Sequence, residues 1–155
     1  FAFRKTVLHR TWEEWRKSSV EELRPEKLDW KLFEIINPVK TVPKFHGGPF
    51  RAWIRKYYGD KVMPTFKELA KNPEIQSDQN INEIIQKFPK KSTLIGLTKY
   101  NKITIIEGMH RCCALAVANE HDLSIHPKLF IVLAKFSGEI PTLGQVHSPT
   151  LRSLL

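Results

Sequence analysis

The sequence predicts an α+β domain in which a small mixed sheet is surrounded by helices. Three observations point there. Ile81, Ile84, Ile85 and Phe88 recur at i, i+3, i+4 and i+7, the stripe of a helix buried along one side. Thr93–Leu97 and Ile103–Ile106 are apolar, β-branched-rich runs separated by a short polar turn, which reads as a hairpin. The Ala-rich segment His110–Asn119 then leads into Leu129–Phe136, an apolar run of strand length.

The remaining elements follow in order. Thr11 and Glu14 have capping-box spacing, and Trp12, Trp15, Val20 and Leu23 can share one apolar side, so a helix is expected from Thr11 to Leu23, ended by Pro25. Leu32–Ile36 is a short strand stopped at Asn37-Pro38. Residues 37–49 hold three prolines and two glycines and read as a loop. Pro49 opens a helix that runs to Tyr58 and ends at Gly59, and Pro64–Ala70 is another short helix. Asp78 or Asn80 caps the striped helix and Pro89 breaks it. The hairpin turn is expected at Asn101-Lys102.

At 155 residues the chain suits one domain, and 41% hydrophobic with 26% charged residues is an ordinary globular composition. No run of about 18 apolar residues exists, so no membrane partner is expected. The two cysteines, Cys112 and Cys113, are adjacent and cannot close a useful loop. A reducing, cytoplasmic compartment fits them best. The chain opens on Phe1 without a signal-peptide pattern, which reads as part of a longer chain. The six histidines are dispersed, with no i, i+4 pair and none in a metal-ligand pattern with the cysteines, so no metal site is expected from them.

The formal charge of +9 is unevenly placed. Residues 40–102 carry 13 Lys/Arg against 5 Asp/Glu, while 103–155 carry 4 of each. Arg51, Arg55, Lys56, Lys90 and Lys91 are the candidate contacts for a nucleic acid, with Trp53, Tyr57 and Tyr58 interleaved. The same charge also suits the phosphates of a nucleotide, or simply a solvated face. His46-Gly47-Gly48 is expected to be a flexible turn rather than a phosphate loop.

Chemistry concentrates in Glu107-Gly108-Met109-His110-Arg111-Cys112-Cys113-Ala114-Leu115, a strand end, a glycine and the first turns of a helix. Helix N-termini carry unpaired N–H groups and partial positive charge, and glycine admits a ligand close to the backbone, so the junction is built for an anion. Arg111 can clamp phosphate, His110 can donate or shuttle a proton, and Glu107 can hold Mg²⁺ or act as a base. Cys112 and Cys113 fall inside the helix and read as small buried residues.

This segment resembles the signature of the ParB/sulfiredoxin-like superfamily, Gly-x-His/Arg-Arg-x-x-Ala, and the order of elements over residues 30–136 is similar to that family's. The resemblance implies a ParB N-terminal-like domain over 30–136, with a helical extension over 1–29 and an irregular tail over 137–155. It implies a nucleoside triphosphate, ATP or CTP, bound with Mg²⁺, its phosphates on Gly108, Met109, His110, Arg111 and Cys112. Glu107, His110 and, as the nearest carboxylate to the first strand, Glu34 are the candidate catalytic residues. NTP hydrolysis or phosphoryl transfer is the expected activity, with a DNA- or RNA-binding module or nuclease as the alternative and a chemically inert interaction domain as the third. Met109 stands where sulfiredoxins carry their reactive cysteine, which argues against their reaction. Fewer than twenty residues follow Phe136, too few for the helix-turn-helix module of partition proteins.

Overall fold

The computed structural model describes residues 21–144. Its five strands form one sheet in the order β1-β5-β3-β4-β2, where β1 is Lys31–Glu34, β2 His46–Gly47, β3 Lys91–Lys99, β4 Lys102–Glu107 and β5 Lys128–Lys135. Two pairings are antiparallel (β1 with β5, β3 with β4) and two are parallel (β3 with β5, β2 with β4). The α+β class with a mixed sheet is therefore observed. The helices are α1 Pro38–Thr41, α2 Arg51–Trp53, α3 Phe66–Leu69, α4 Pro73–Gln76, α5 Gln79–Gln86 and α6 Met109–Glu120.

Residues 37–49 are more ordered than a loop. Pro38 opens α1, and Pro43 sits in a 3₁₀ turn, Val42–Lys44. A proline in the first turn of a helix sacrifices an N–H that has no partner there anyway, so residues that look like breakers act as starters. The expected helix from Pro49 to Tyr58 begins at Arg51 and changes after Trp53 into a π-helical turn, Ile54–Tyr58. Asp78 caps α5, its carboxylate accepting from the Ile81 N–H at 3.0 Å, and Ile81 is fully buried beneath the stripe. The hairpin turn lies one residue earlier than expected. Tyr100 and Asn101 have φ of +52° and +61°, the pattern of a type I′ turn, while Lys102 already pairs with Lys99.

Both faces of the sheet are apolar and both are covered, because neighbouring residues on a strand point to opposite sides. Ile105 faces the larger core beneath α6, and Ile106 faces a second core. Met109 and the run from Cys112 to Ala118 are buried, so α6 is enclosed by the sheet, α1, α3 and α5. The second core joins Leu97, Ile106 and Ala134 to Leu23, Ile140 and Leu143. Packing thus extends beyond the expected 30–136 span on both sides, and Ile140 and Leu143, in a stretch without helix or strand, cover the second face of the sheet. Of the helix expected over Thr11–Leu23, residues 11–20 lie outside the described residues and Glu21–Leu23 form a 3₁₀ turn. Among the described residues no helix is long and apolar enough to cross a membrane.

Candidate functional site

The end of β4 and the start of α6 build the site. Buried Ile105 and Ile106 fix the strand, so the chain must reverse into the helix within one residue. That residue is Gly108, at φ +107°. A Cβ there would lie 2.3 Å from Leu94 Cδ2 and 3.0 Å from Arg111 Nη2, so glycine is required by dihedral and by space alike. Gly108 supplies no capping side chain. The N–H groups of Met109, His110 and Arg111 consequently have no partner within the helix. Cys112, expected among the phosphate contacts, is not equivalent to them, because its N–H already donates to the Gly108 carbonyl at 2.9 Å. Its thiol and that of Cys113 are buried, and burial pushes both well above the ordinary thiol range. They pack as small core residues.

Arg111 is held over the turn. Its Nη1 donates to the Thr93 carbonyl of β3 at 2.9 Å, and Nη2 lies 3.9 Å from Glu107 Oε1. A guanidinium has five N–H donors, so this anchoring leaves donors for a ligand. Burial holds the Glu107 carboxyl above its ordinary range, and the Arg111 charge only partly opposes this. Burial also lowers the His110 imidazole; Asp78 opposes that and Lys56 adds to it. His110 is therefore neutral at pH 7, a hydrogen-bonding group rather than a cation. Its ring meets the Trp53 ring edge-on at 5.1 Å, and the remainder of the residue is partly exposed.

The turn opens into a cleft of about 990 Å³. Glu107, Gly108, Met109, His110 and Arg111 form its floor. Arg51, Trp53 and Arg55 line it from α2 and the π turn, and Asn80, Glu83 and Lys87 from α5 and its end. From the sequence Asn80 is only a candidate cap of that helix, and Glu83 and Lys87 have no site role. Their signal was the polar side of the same stripe whose apolar side located the helix. Arg51 is tied to the Gly144 carbonyl at 2.5 Å. Arg55 and Lys87 have no ion-pair partner among the described residues.

Other expected site residues lie elsewhere. Glu34 is exposed on the edge strand β1, opposite Phe130, with β5 and β3 between it and β4, and it does not line the cleft. The five basic residues fall in three places. Arg51 and Arg55 line the cleft, Lys56 lies against the Tyr57 ring at 5.1 Å, and Lys90 and Lys91 sit exposed at the foot of β3. Lys91 and Lys128 both lie over the Phe130 ring, at 5.6 and 5.7 Å. The glycine pair after His46 is neither a flexible turn nor a phosphate loop. A Cβ on Gly47 would meet the Tyr58 hydroxyl at 2.5 Å, and one on Gly48 the Ile105 carbonyl at 2.5 Å. Both glycines exist so that β2 and the following turn can press against β4 and Tyr58. Among the described residues no three His, Cys, Asp or Glu side chains are grouped so as to hold a metal ion.

Comparison with protein-family models, curated proteins and solved structures finds no match to this chain.

Proposed function

We propose that this chain is a nucleotide-binding domain of the ParB/sulfiredoxin-like type that holds a ligand's phosphates at the N-terminus of α6. The observation that carries the reading is the Gly108–Arg111 turn at the floor of a cleft walled by Arg51, Arg55 and Lys87. Three uncommitted N–H groups, the helix dipole and the Arg111 fork converge where a phosphate would sit. Four Lys/Arg side chains against Glu83 and Glu107 give this lining a net positive charge, as a polyphosphate requires.

The proposed activity is NTP hydrolysis or phosphoryl transfer. Mg²⁺ commonly binds through one or two carboxylates and the phosphates themselves, and Glu83 suits that mode. Bound there, it would neutralise charge on the phosphates. Arg111 would orient the phosphate chain, and His110 would donate to a phosphate oxygen or relay a proton. Glu107, whose proton affinity is raised by burial, is the group placed to accept a proton from water or a hydroxyl acceptor. Glu34 has no part in this proposal.

Calorimetric titration with ATP and CTP, with and without Mg²⁺, tests it. Binding is expected in the wild type, weakened about 30-fold in Arg111→Ala, while Glu107→Gln binds but does not turn over. Equal affinity in wild type and Arg111→Ala would refute the site. Nucleic acid is the second reading, favoured by Lys91 and Lys128 flanking Phe130. It predicts DNA or RNA affinity that falls steeply with salt and with Lys91→Ala, and salt-insensitive or absent binding removes it.

A further inference from the structure

We infer that Trp53 is the platform on which the ligand's nucleobase stacks, so that the cleft selects nucleotides over bare polyphosphate; this rests on the phosphate site proposed above. Trp53 is half-buried in the cleft wall beside the motif turn. Its ring is braced by His110 edge-on at 5.1 Å and by Tyr57 at 5.0 Å with a 50° tilt. A braced aromatic loses little freedom when a base stacks on it, and every base offers a π-face.

Two further observations concern the same residue. The helix changes from α to π immediately after Trp53, and such turns are uncommon and recur at functional sites. Arg51, Trp53 and Arg55, on either side of that change, all line the cleft. The helix segment therefore contributes an aromatic ring and two cations to the same cleft. The volume matters as well. About 990 Å³ lies at the upper end for small-molecule sites and exceeds what a phosphate chain needs at the floor. The wall contributed by α5 and its end holds Ile84 and Pro89, apolar partners for the second side of a flat base, with Asn80 to hydrogen-bond its edge.

The test compares three ligands on the intact chain by calorimetry with Mg²⁺ present: nucleoside triphosphates, ribose 5-triphosphate and inorganic tripolyphosphate. Nucleotides are expected to bind at least about tenfold tighter than ribose 5-triphosphate. Trp53→Leu should erase that margin without changing tripolyphosphate affinity, and Trp53→Phe should keep much of it. Equal affinity for nucleotide and ribose 5-triphosphate in the wild type overturns the base site, a result that needs no variant to fold. So does an equal loss of nucleotide and tripolyphosphate affinity in Trp53→Leu. If none of the three ligands binds, the phosphate site itself falls and the base site falls with it.

Discussion

The two ends of β4 answer the same backbone demand with opposite chemistry. At its start the chain reverses through Tyr100 and Asn101, both in the left-handed region, and Tyr100 is 85% exposed. At its end the chain reverses through Gly108, also at positive φ, packed between Leu94 and Arg111. The first turn tolerates side chains because they point into water, and it carries the strain of two non-glycine residues. The second has no room for a single carbon. What differs is what lies beyond the turn. After Asn101 there is another strand, whereas after Gly108 there is a helix end that opens into a cleft. A glycine forced by packing thus coincides with the place where a ligand's approach to the backbone needs one.

The largest effect should come from Gly108→Ala, which combines left-handed strain with a 2.3 Å approach to Leu94 Cδ2. A loss of about 3 kcal/mol or more is expected in chemical denaturation. A loss below about 1 kcal/mol would mean that the turn has slack and that the comparison fails. Next is Arg111→Ala, expected to cost about 2 kcal/mol of phosphate binding. Retention of binding in Arg111→Ala would separate the strain at Gly108 from any ligand.

Two pH effects are subtler. The Glu107 carboxyl titrates higher folded than unfolded, so its protonated form favours the native state. That contribution is present below the ordinary carboxylate pKa and is lost as pH rises through the raised one. Glu107→Gln should flatten this part of the stability profile, and an unchanged slope would contradict the burial of that group. The His110 imidazole titrates lower folded than unfolded, so stability falls as pH drops through the ordinary histidine range toward the lowered pKa. A phosphate beside His110 favours its protonation. Affinity should therefore rise more steeply from pH 8 to pH 6 in the wild type than in His110→Ala, as read by calorimetry. The smallest effect belongs to the exposed turn. Asn101→Gly should stabilise by no more than about 0.5 kcal/mol, since glycine occupies φ +61° without cost. Destabilisation there would show that the two turns are not alike in backbone demand.

Much of the fold could be read from periodicity. The stripe from Ile81 to Phe88, the β-branched run of β4 and the apolar run of β5 each obey one period, and each forms the element expected. The segments missed are those where proline or context decides. Pro38 and Pro43 read as breakers but start helical turns, and Ile140 and Leu143 look like tail residues until the second face of the sheet needs cover. The cleft was half legible. Gly108, His110 and Arg111 lie together in sequence, so a local motif finds them. Trp53, Arg55, Glu83 and Lys87 reach the same space only through tertiary packing. Glu34 shows the converse, since nearness to a strand end in sequence placed it three strands from the floor of the cleft.

The central claim is that phosphate binds the first turn of α6. Amide chemical-shift mapping of the ¹⁵N-labelled chain during titration with tripolyphosphate tests it most directly. The largest shifts should fall on the N–H groups of Met109, His110 and Arg111, with the Cys112 amide, already bonded within the helix, moving less. Shifts centred on Lys90, Lys91 and Lys128, with that turn unmoved, would contradict it.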